Sequence, residues 1–529
     1  MNKCQCRKSV VITLITICII QLAVSIFWGS KKNFLFFDEV FSYPAANNFY
    51  EADSEFAENT WMDGSWFENY MSADAAHRFD YSIPYENQTN DVHPPLFYFF
   101  LHTVCSIIPE RFSYWAGISV NIAFFLGCTI VLYFIGKEVF GSRVCALAAA
   151  FLYAVSYGGI NTMVYIRMYM LLTLMTLLHA LVYLKYFEEE AIKPKSYIFL
   201  ALTLVGGVLS QYYFLFIAFF FGAWYTIKFV AEKHYKVLVK YISTILISAG
   251  VSLAVWPSML EHLFGGGRGE EARGNLLSLD GYFSDLKEMF RIMNNDMFTK
   301  LLPVILIGII GLVFICLKSG KKIEKKYLGK AAVILFVCTG YFLLVTKAAP
   351  YQVDRYVMPI YPLVYLLAAG STYILFSKLI PKKYAVALCI TGFGGLSAIH
   401  MALSGIPYTY EKNPYNIERR AVVEEYKDSY ALYISDNKGC HYYDAVQMLE
   451  EYKGYYYVYD LTSVEQTKKD MEILEDENNL IIYVKNTRTI EEAESFVQEV
   501  FPGSTLDESN LLDTDEKWNV YLLELKSED

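Results

Sequence analysis

Apolar runs about 20 residues long recur along this chain, and nothing constrains its fold more. They are read at residues 10–29, 113–136, 144–162, 168–185, 196–210, 213–230, 237–256, 301–317, 329–346, 356–377 and 384–403. A run of that length crosses the hydrocarbon of a bilayer as a helix. Inside lipid the backbone must satisfy its own hydrogen bonds, so helices are the economical solution. Hydrophobic residues make up 55% of the chain and aromatic ones 17%, with a mean hydropathy of +0.28. The expected fold is therefore an α-helical polytopic membrane protein with about 11–13 spans.

Loop charge orients the spans. Lys3, Arg7 and Lys8 precede the first run, which places the N-terminus inside. That run continues to Trp28 and Gly29 without a convincing small-residue cleavage site, so it reads as an uncleaved signal anchor. His93-Pro94-Pro95 opens an apolar segment of roughly 15 residues, short for a crossing. If it crossed, Lys137 and Arg143, Lys185, Lys193 and Lys195, and the lysines of 318–330 would all fall outside. A re-entrant or tilted partial segment keeps them inside. The loops 30–92 and 257–300, the turns at 157–169, Gln211 and 347–356, and the tail then lie outside, on a multi-pass protein of the cell membrane.

Two regions are expected: a membrane domain over 1–404 and a soluble α/β domain over 405–529. The latter carries 28 acidic and 12 basic side chains in a chain of net charge −10, which leaves the membrane part at +6. An acidic appendage on a mildly basic body argues against nucleic acid as a partner. Its strand-like and helix-like stretches alternate, SYALYIS, AVQMLEEYK, GYYYVYDL and onward to WNVYLLEL. Such alternation predicts a largely parallel sheet and a docking or recognition role. In the 30–92 loop, Met62, Trp66 and Tyr70 fall four apart and predict helices along the membrane surface. GGGRGEEARGN in the 257–300 loop precedes no strand–helix unit, so it is a lid, an acceptor loop or a plain linker rather than a P-loop. The ten cysteines, among them Cys4, Cys6 and Cys440, form no disulfide or zinc pattern.

Polar groups gather on the face read as outer. They are Asp38–Glu39 after the first run, Asp91 with His93, Arg167 between Tyr165 and Tyr169, Gln211-Tyr212-Tyr213, and Asp354-Arg355-Tyr356. Each has an ordinary reading, since tyrosines settle at interfaces and arginines snorkel. Together they divide labour. A carboxylate can accept a proton from a hydroxyl or amine, while cationic and hydrogen-bonding groups hold a phosphate. That combination suits group transfer from a lipid phosphate.

The acidic pair after the first helix, the long loop and HPPLF resemble the C-type glycosyltransferases. The branch is that of the protein O-mannosyltransferases and bacterial lipid A aminoarabinose transferases. RMY at 167–169 and RYVMPIYP at 355–362 look like further marks of its bacterial members, and the likeness covers roughly residues 10–375. It implies an integral membrane enzyme with a polyprenyl-phosphate-sugar donor and an extracytoplasmic acceptor, a glycan, lipid or protein. Asp38 matches the family's acidic position and would be the general base, with Glu39 orienting it or binding the acceptor. His93 would touch the donor phosphate, Arg167 and Tyr169 would border the donor site, and Asp91, Tyr212 and Arg355 would complete the substrate-binding set. Gln211 stands where related chains often have His, which puts a charged role there in doubt. Asp38, Glu39 and Asp91 are of a type that shares a hard cation, but the branch implies none and no cofactor is expected. The implied mechanism is a single inverting displacement. Rival readings are a lipid-linked transporter or flippase, a membrane scaffold with a recognition tail, and a polysaccharide polymerase or ligase with a lipid-linked oligosaccharide donor.

Overall fold

The computed structural model describes residues 3–48, 58–188, 192–278, 280–319, 325–436 and 443–525. Residues 49–57 of the first loop, Lys321 and Lys322 of the basic stretch, and Cys440 lie outside the described residues, as do the side chains of Cys4 and Cys6. The chain divides into two compact units. One comprises Met1–Lys31, Gln88–Phe100 and Gly117–Ile406; the other comprises Lys32–Asn87, Leu101–Ala116 and Pro407–Asp529.

The first unit is helical and apolar. Among the described residues eight helices are long and apolar enough to cross a membrane: Lys8–Gly29, Tyr114–Phe140, Tyr169–Tyr186, Phe214–Ala231, Tyr235–Val255, Leu328–Ala348, Met358–Leu379 and Lys382–Ser404. Two bent pairs raise the number to ten. The run at 144–162 is one of these, Arg143–Ala154 and Tyr157–Val164 meeting at 50°. Ser156 causes that break, because its hydroxyl accepts from the Gly159 N–H at 3.0 Å and starts a second helix. The run at 301–317 joins Tyr282–Phe298 at 74° through Thr299 and Lys300, both at positive φ. The sequence places Tyr282–Phe298 in a loop because its charges mask the apolar face. Pro194–Ser210, at 17 residues, falls just short of a span. The expected partial segment is the ten-residue helix Leu96–Cys105, about 15 Å long at 1.5 Å per residue.

Small residues set the close approaches. Gly136 faces Ala146, where an added Cβ would lie 3.1 Å from the Ala146 backbone. Gly207 leaves room for the Phe214 ring, which lets Pro194–Ser210 fold back on Phe214–Ala231 around Gln211. Backbones that approach through small residues gain dispersion contacts, the main packing force available in lipid.

The second unit holds a six-stranded sheet of order β1-β3-β2-β4-β6-β5. The strands are β1 (Trp61–Met62), β2 (Tyr430–Ile434), β3 (Gly454–Val458), β4 (Asn479–Lys485), β5 (Leu511–Thr514) and β6 (Trp518–Glu524). Only β3, β2 and β4 run parallel; β1, β5 and β6 are antiparallel to their neighbours. This corrects the expectation of a largely parallel sheet. Helices connect the parallel strands, whereas β5 and β6 are joined by a tight turn, which permits only antiparallel pairing. Asp515 closes that turn by accepting from the Lys517 and Trp518 N–H groups.

β1 comes from the first loop. Met62 is therefore in a strand, not on the helix face shared by Trp66 and Tyr70. Trp61 lies against Tyr430 and Tyr456 and donates its indole N–H to the Asp470 carbonyl at 2.8 Å. The helix that follows, Gly64–Met71, is capped by Asp63 and stacks Trp66 on Tyr70. Leu432, Ile434, Val458, Ile482 and Val484 from the sheet and Phe496 and Val497 from a covering helix fill the core.

Candidate active site

In the second unit, FLFFDEV turns from loop to helix. The helix Phe37–Asn47 places Asp38 and Glu39 in its first turn, where the dipole favours negative charge. The two neighbours then part company. Glu39 is fully buried and its Oε2 accepts from Lys32 Nζ at 2.9 Å and from the Phe36 N–H at 2.6 Å. Lys32 is buried as completely and also donates to the Tyr408 carbonyl at 2.6 Å. Burial pushes the Lys32 ammonium below its ordinary pKa, and the Glu39 carboxylate opposes that shift. Asp38 is half-buried.

Further bonds pin this helix at both ends. The Leu35 N–H and carbonyl both pair with the Gln447 amide, at 2.8 and 3.0 Å. Asn47 donates to the Met71 carbonyl at 3.0 Å, and the Tyr43 hydroxyl donates to the Ser113 carbonyl at 2.9 Å.

The first unit gathers the other expected groups. Asp91 Oδ2 and His93 Nδ1 are 2.8 Å apart, and His93 Nε2 is 3.4 Å from Arg167 Nη2. A guanidinium only donates, so Nε2 is the acceptor and Nδ1–H donates to the carboxylate; the imidazole is neutral in this arrangement. The Gln88 amide, oriented to suit its neighbours, donates to the His93 carbonyl and to Asp91. Burial alone would raise the Asp91 carboxyl. The hydrogen bond from His93 and the Arg167 charge hold the carboxyl below its ordinary pKa, although 40% of the side chain is open to solvent.

Arg167 is only 6% exposed. It sits in the turn ahead of Tyr169–Tyr186, where Asn121 braces the backbone by donating to the carbonyls of Met163 and Tyr165 at 3.1 and 2.7 Å. Tyr165 and Tyr169 stack at 5.7 Å. Arg355 lies over the Tyr356 ring, whose edge contacts run to Tyr213 and Tyr169. Asp354 turns away to accept from the Asn161 amide at 3.1 Å.

A second chain of bonds went unread in the sequence. Trp256 donates its indole N–H to the Tyr212 oxygen at 3.0 Å. The Tyr212 hydroxyl is 2.9 Å from His262 Nδ1, and His262 Nε2 is 3.3 Å from the Thr89 carbonyl. The carbonyl only accepts, so His262 gives it the Nε2 proton, and the Tyr212 hydroxyl, already accepting from Trp256, is placed to donate to Nδ1. Burial lowers its pKa, against the opposing hydrogen bond to Thr89 and the Asp91 charge. His262 thus ties the 257–300 loop to the segment that carries Asp91 and His93. Nothing in its spacing signals this, because its helix, Met259–Phe264, has only six residues. Gln211 is almost buried and accepts from the Tyr213 N–H, which shapes the turn beneath Tyr212. A buried bond from the Tyr361 hydroxyl to Asp296, at 2.8 Å, was likewise unforeseen.

The structure thus places Asp91, His93, Arg167, Tyr169, Gln211, Tyr212 and Arg355 in the first unit, and Asp38 and Glu39 in the second. Among the described residues no three His, Cys, Asp or Glu side chains come together as a metal site.

No family model and no curated protein matches the chain. Among solved structures it is similar to ArnT from Cupriavidus metallidurans bound to undecaprenyl phosphate, at 8% identity and a TM-score of 0.49, over 96% of this chain and 97% of that one. ArnT in its apo state is similar at 10% identity and a TM-score of 0.47, with the same coverage. The archaeal oligosaccharyltransferase AglB from Archaeoglobus fulgidus, in complex with an inhibitory peptide and a dolichol-phosphate, is similar at 10% identity and a TM-score of 0.43, over 93% of this chain and 71% of that one.

Lys32→Ala or Glu39→Ala alone is expected to cost about 3–5 kcal/mol by stranding a buried charge, whereas Lys32→Met with Glu39→Leu recovers most of the loss. Unfolding of the purified protein measures this, and a single change without effect contradicts it. Asp91 lies below its ordinary pKa, so its share of stability is present above about pH 4 and vanishes as the pH falls towards 2. Asp91→Asn should therefore narrow the difference between unfolding temperatures at pH 6 and pH 2.5; an unchanged difference contradicts the pairing.

Proposed function

We propose that this chain is an integral membrane glycosyltransferase of the C-type class, taking a sugar from a polyprenyl-phosphate donor and passing it to an acceptor on the outer side of the membrane. The observation that carries the reading is the chain Asp91–His93–Arg167, set at the end of apolar helices with Tyr212 and Arg355 in the same unit. ArnT and AglB are named with undecaprenyl phosphate and dolichol-phosphate respectively, and this reading gives the present chain a carrier of the same kind. The lysines of the opposite loops support the outer orientation.

Arg167 suits a departing phosphate because its fork can meet two oxygens at once. His93 adds to it. Its imidazole, held by Asp91, keeps Arg167 in place beside the donor phosphate. Together the two act on charge that grows as the sugar–phosphate bond breaks, which is where binding energy lowers a barrier. Asp38 takes the acceptor's proton while the acceptor oxygen bonds to the anomeric carbon. The bond to the phosphate oxygen breaks on the opposite face, so the configuration inverts and the lipid phosphate leaves. Glu39 is a positioning residue, since its bonds to Lys32 and Phe36 set the helix turn that presents Asp38.

Purified protein in lipid, given radiolabelled polyprenyl-phosphate sugars, should turn over at least one donor. Asp38→Asn should lower kcat by about 10²–10⁴, the usual worth of a general base. Arg167→Gln should raise KM for the donor as well. A wild-type protein inert towards every donor, or an Asp38→Asn variant of full activity, would overturn the reading.

A further inference from the structure

We propose that a cleft in the unit bearing Asp38 is a saccharide subsite that takes one neutral pyranose ring of a glycan. The cleft measures about 160 Å³ and is lined by Phe34, the segment Tyr410–Arg419 and the turn Asp515–Trp518. That is ample for several waters and small beside the roughly 300–1,000 Å³ of sites for larger ligands. One ring fits the size.

Its lining is aromatic with polar edges. Phe34 and Tyr410 meet edge to face at 5.5 Å, and Tyr415, 48% exposed, stands at the mouth. Tyr410 holds a φ of +61°, a conformation a bulky residue rarely adopts. Trp518 forms the floor beneath the Arg419 guanidinium, 5.3 Å away. Aromatic faces suit the apolar C–H faces of a sugar ring, and Tyr keeps a hydroxyl for its edge.

The polar groups select the class. Asn416, 6% exposed, donates through Nδ2 to Asn33 Oδ1 and to the Tyr410 carbonyl, while its Oδ1 has no partner. A buried acceptor left so is destabilising, and a ligand donor in the cleft would relieve it. Arg419 is already neutralised by Asp513 and by Asp515 at 2.9 Å, so it offers little to an anion. Asn416 Oδ1, Asp515 and Glu516 are acceptors and outnumber the one other cation of the lining, Lys517, whose ammonium lies 5.6 Å from the Trp518 ring. The matching ligand must bring several donors on a ring with apolar faces, which describes a hydroxylated pyranose.

The cleft also adjoins the proposed base. Phe34 precedes Asp38 by four residues, at most about 14 Å of chain. The Lys32 ammonium, buried against Glu39, lies 6.0 Å from the Tyr410 ring. Resting on the function proposed above, the bound ring belongs to the acceptor, and the acceptor is a glycan.

Saturation-transfer NMR on the full chain in detergent, with the methyl glycosides of glucose, mannose and galactose as probes, tests the subsite without any donor. At least one glycoside should show transfer to its ring C–H protons. Tyr415→Ala should cut the signal at least fivefold, and this exposed change leaves the fold intact. Asn416→Leu should do the same wherever the variant remains folded. No transfer from any glycoside, an unaltered signal in Tyr415→Ala, or displacement by equimolar inorganic phosphate would overturn the proposal. Because binding is read without turnover, an inactive transferase leaves it standing; a transferase whose glycan KM is unmoved by Tyr415→Ala refutes the subsite and spares the activity.

Discussion

A buried ion pair is the constraint on which the Asp38 region rests. Lys32 and Glu39 have no solvent contact, and removing two such charges from water costs several kcal/mol each unless the remaining donors and acceptors are met. Here they are met by the Phe36 N–H and the Tyr408 carbonyl. One structure satisfies all four groups together: the chain leaves the first apolar helix, crosses beside residues 407–410, and starts a new helix at Phe37. Asp38 inherits its position from that solution. Two adjacent carboxylates thereby acquire different physics, one spent on the fold and the other half-open at a helix N-terminus.

Hydrogen-bond direction does comparable work in the first unit. Arg167 and Trp256 can only donate, and the Asp91 carboxylate and Thr89 carbonyl can only accept. The histidines between them face opposite ways, His93 giving its Nδ1 proton to the carboxylate and His262 its Nε2 proton to the carbonyl. Both chains converge on residues 89–93, just before Pro94 and Pro95, whose rings restrict the backbone and keep that segment from joining the helix behind it.

The sheet unit shows how a long loop and a tail can form one body. Trp61 closes β3 from the first loop, and its indole bond to Asp470 and its packing on Tyr430 and Tyr456 bury a side chain that hydropathy alone assigns to a membrane surface. The same tail presents Tyr410, Tyr415 and Asn416 beside the strand of chain that leads to Asp38.

Apolar periodicity and length are enough to foretell most of the helical runs, though not Tyr282–Phe298, together with the short segment after Pro95 and most of the alternating elements of the tail, because burying apolar area in lipid or a core is a local property of the residues. Polar interruptions of the apolar pattern likewise single out Asp38, Asp91, His93, Arg167 and Arg355 as positions to examine. Tertiary structure decided the rest. That Glu39 sits in a buried ion pair depends on Lys32, seven residues before it, and on the Tyr408 carbonyl, 376 residues from Lys32. The pairing of Trp61 with β3, the bend at Thr299, and the meeting of His262 with Tyr212 rest on partners far apart in the chain, and pattern within a window carries no information about such partners. Charge, hydrogen-bond direction and burial become definite only when those groups share a site.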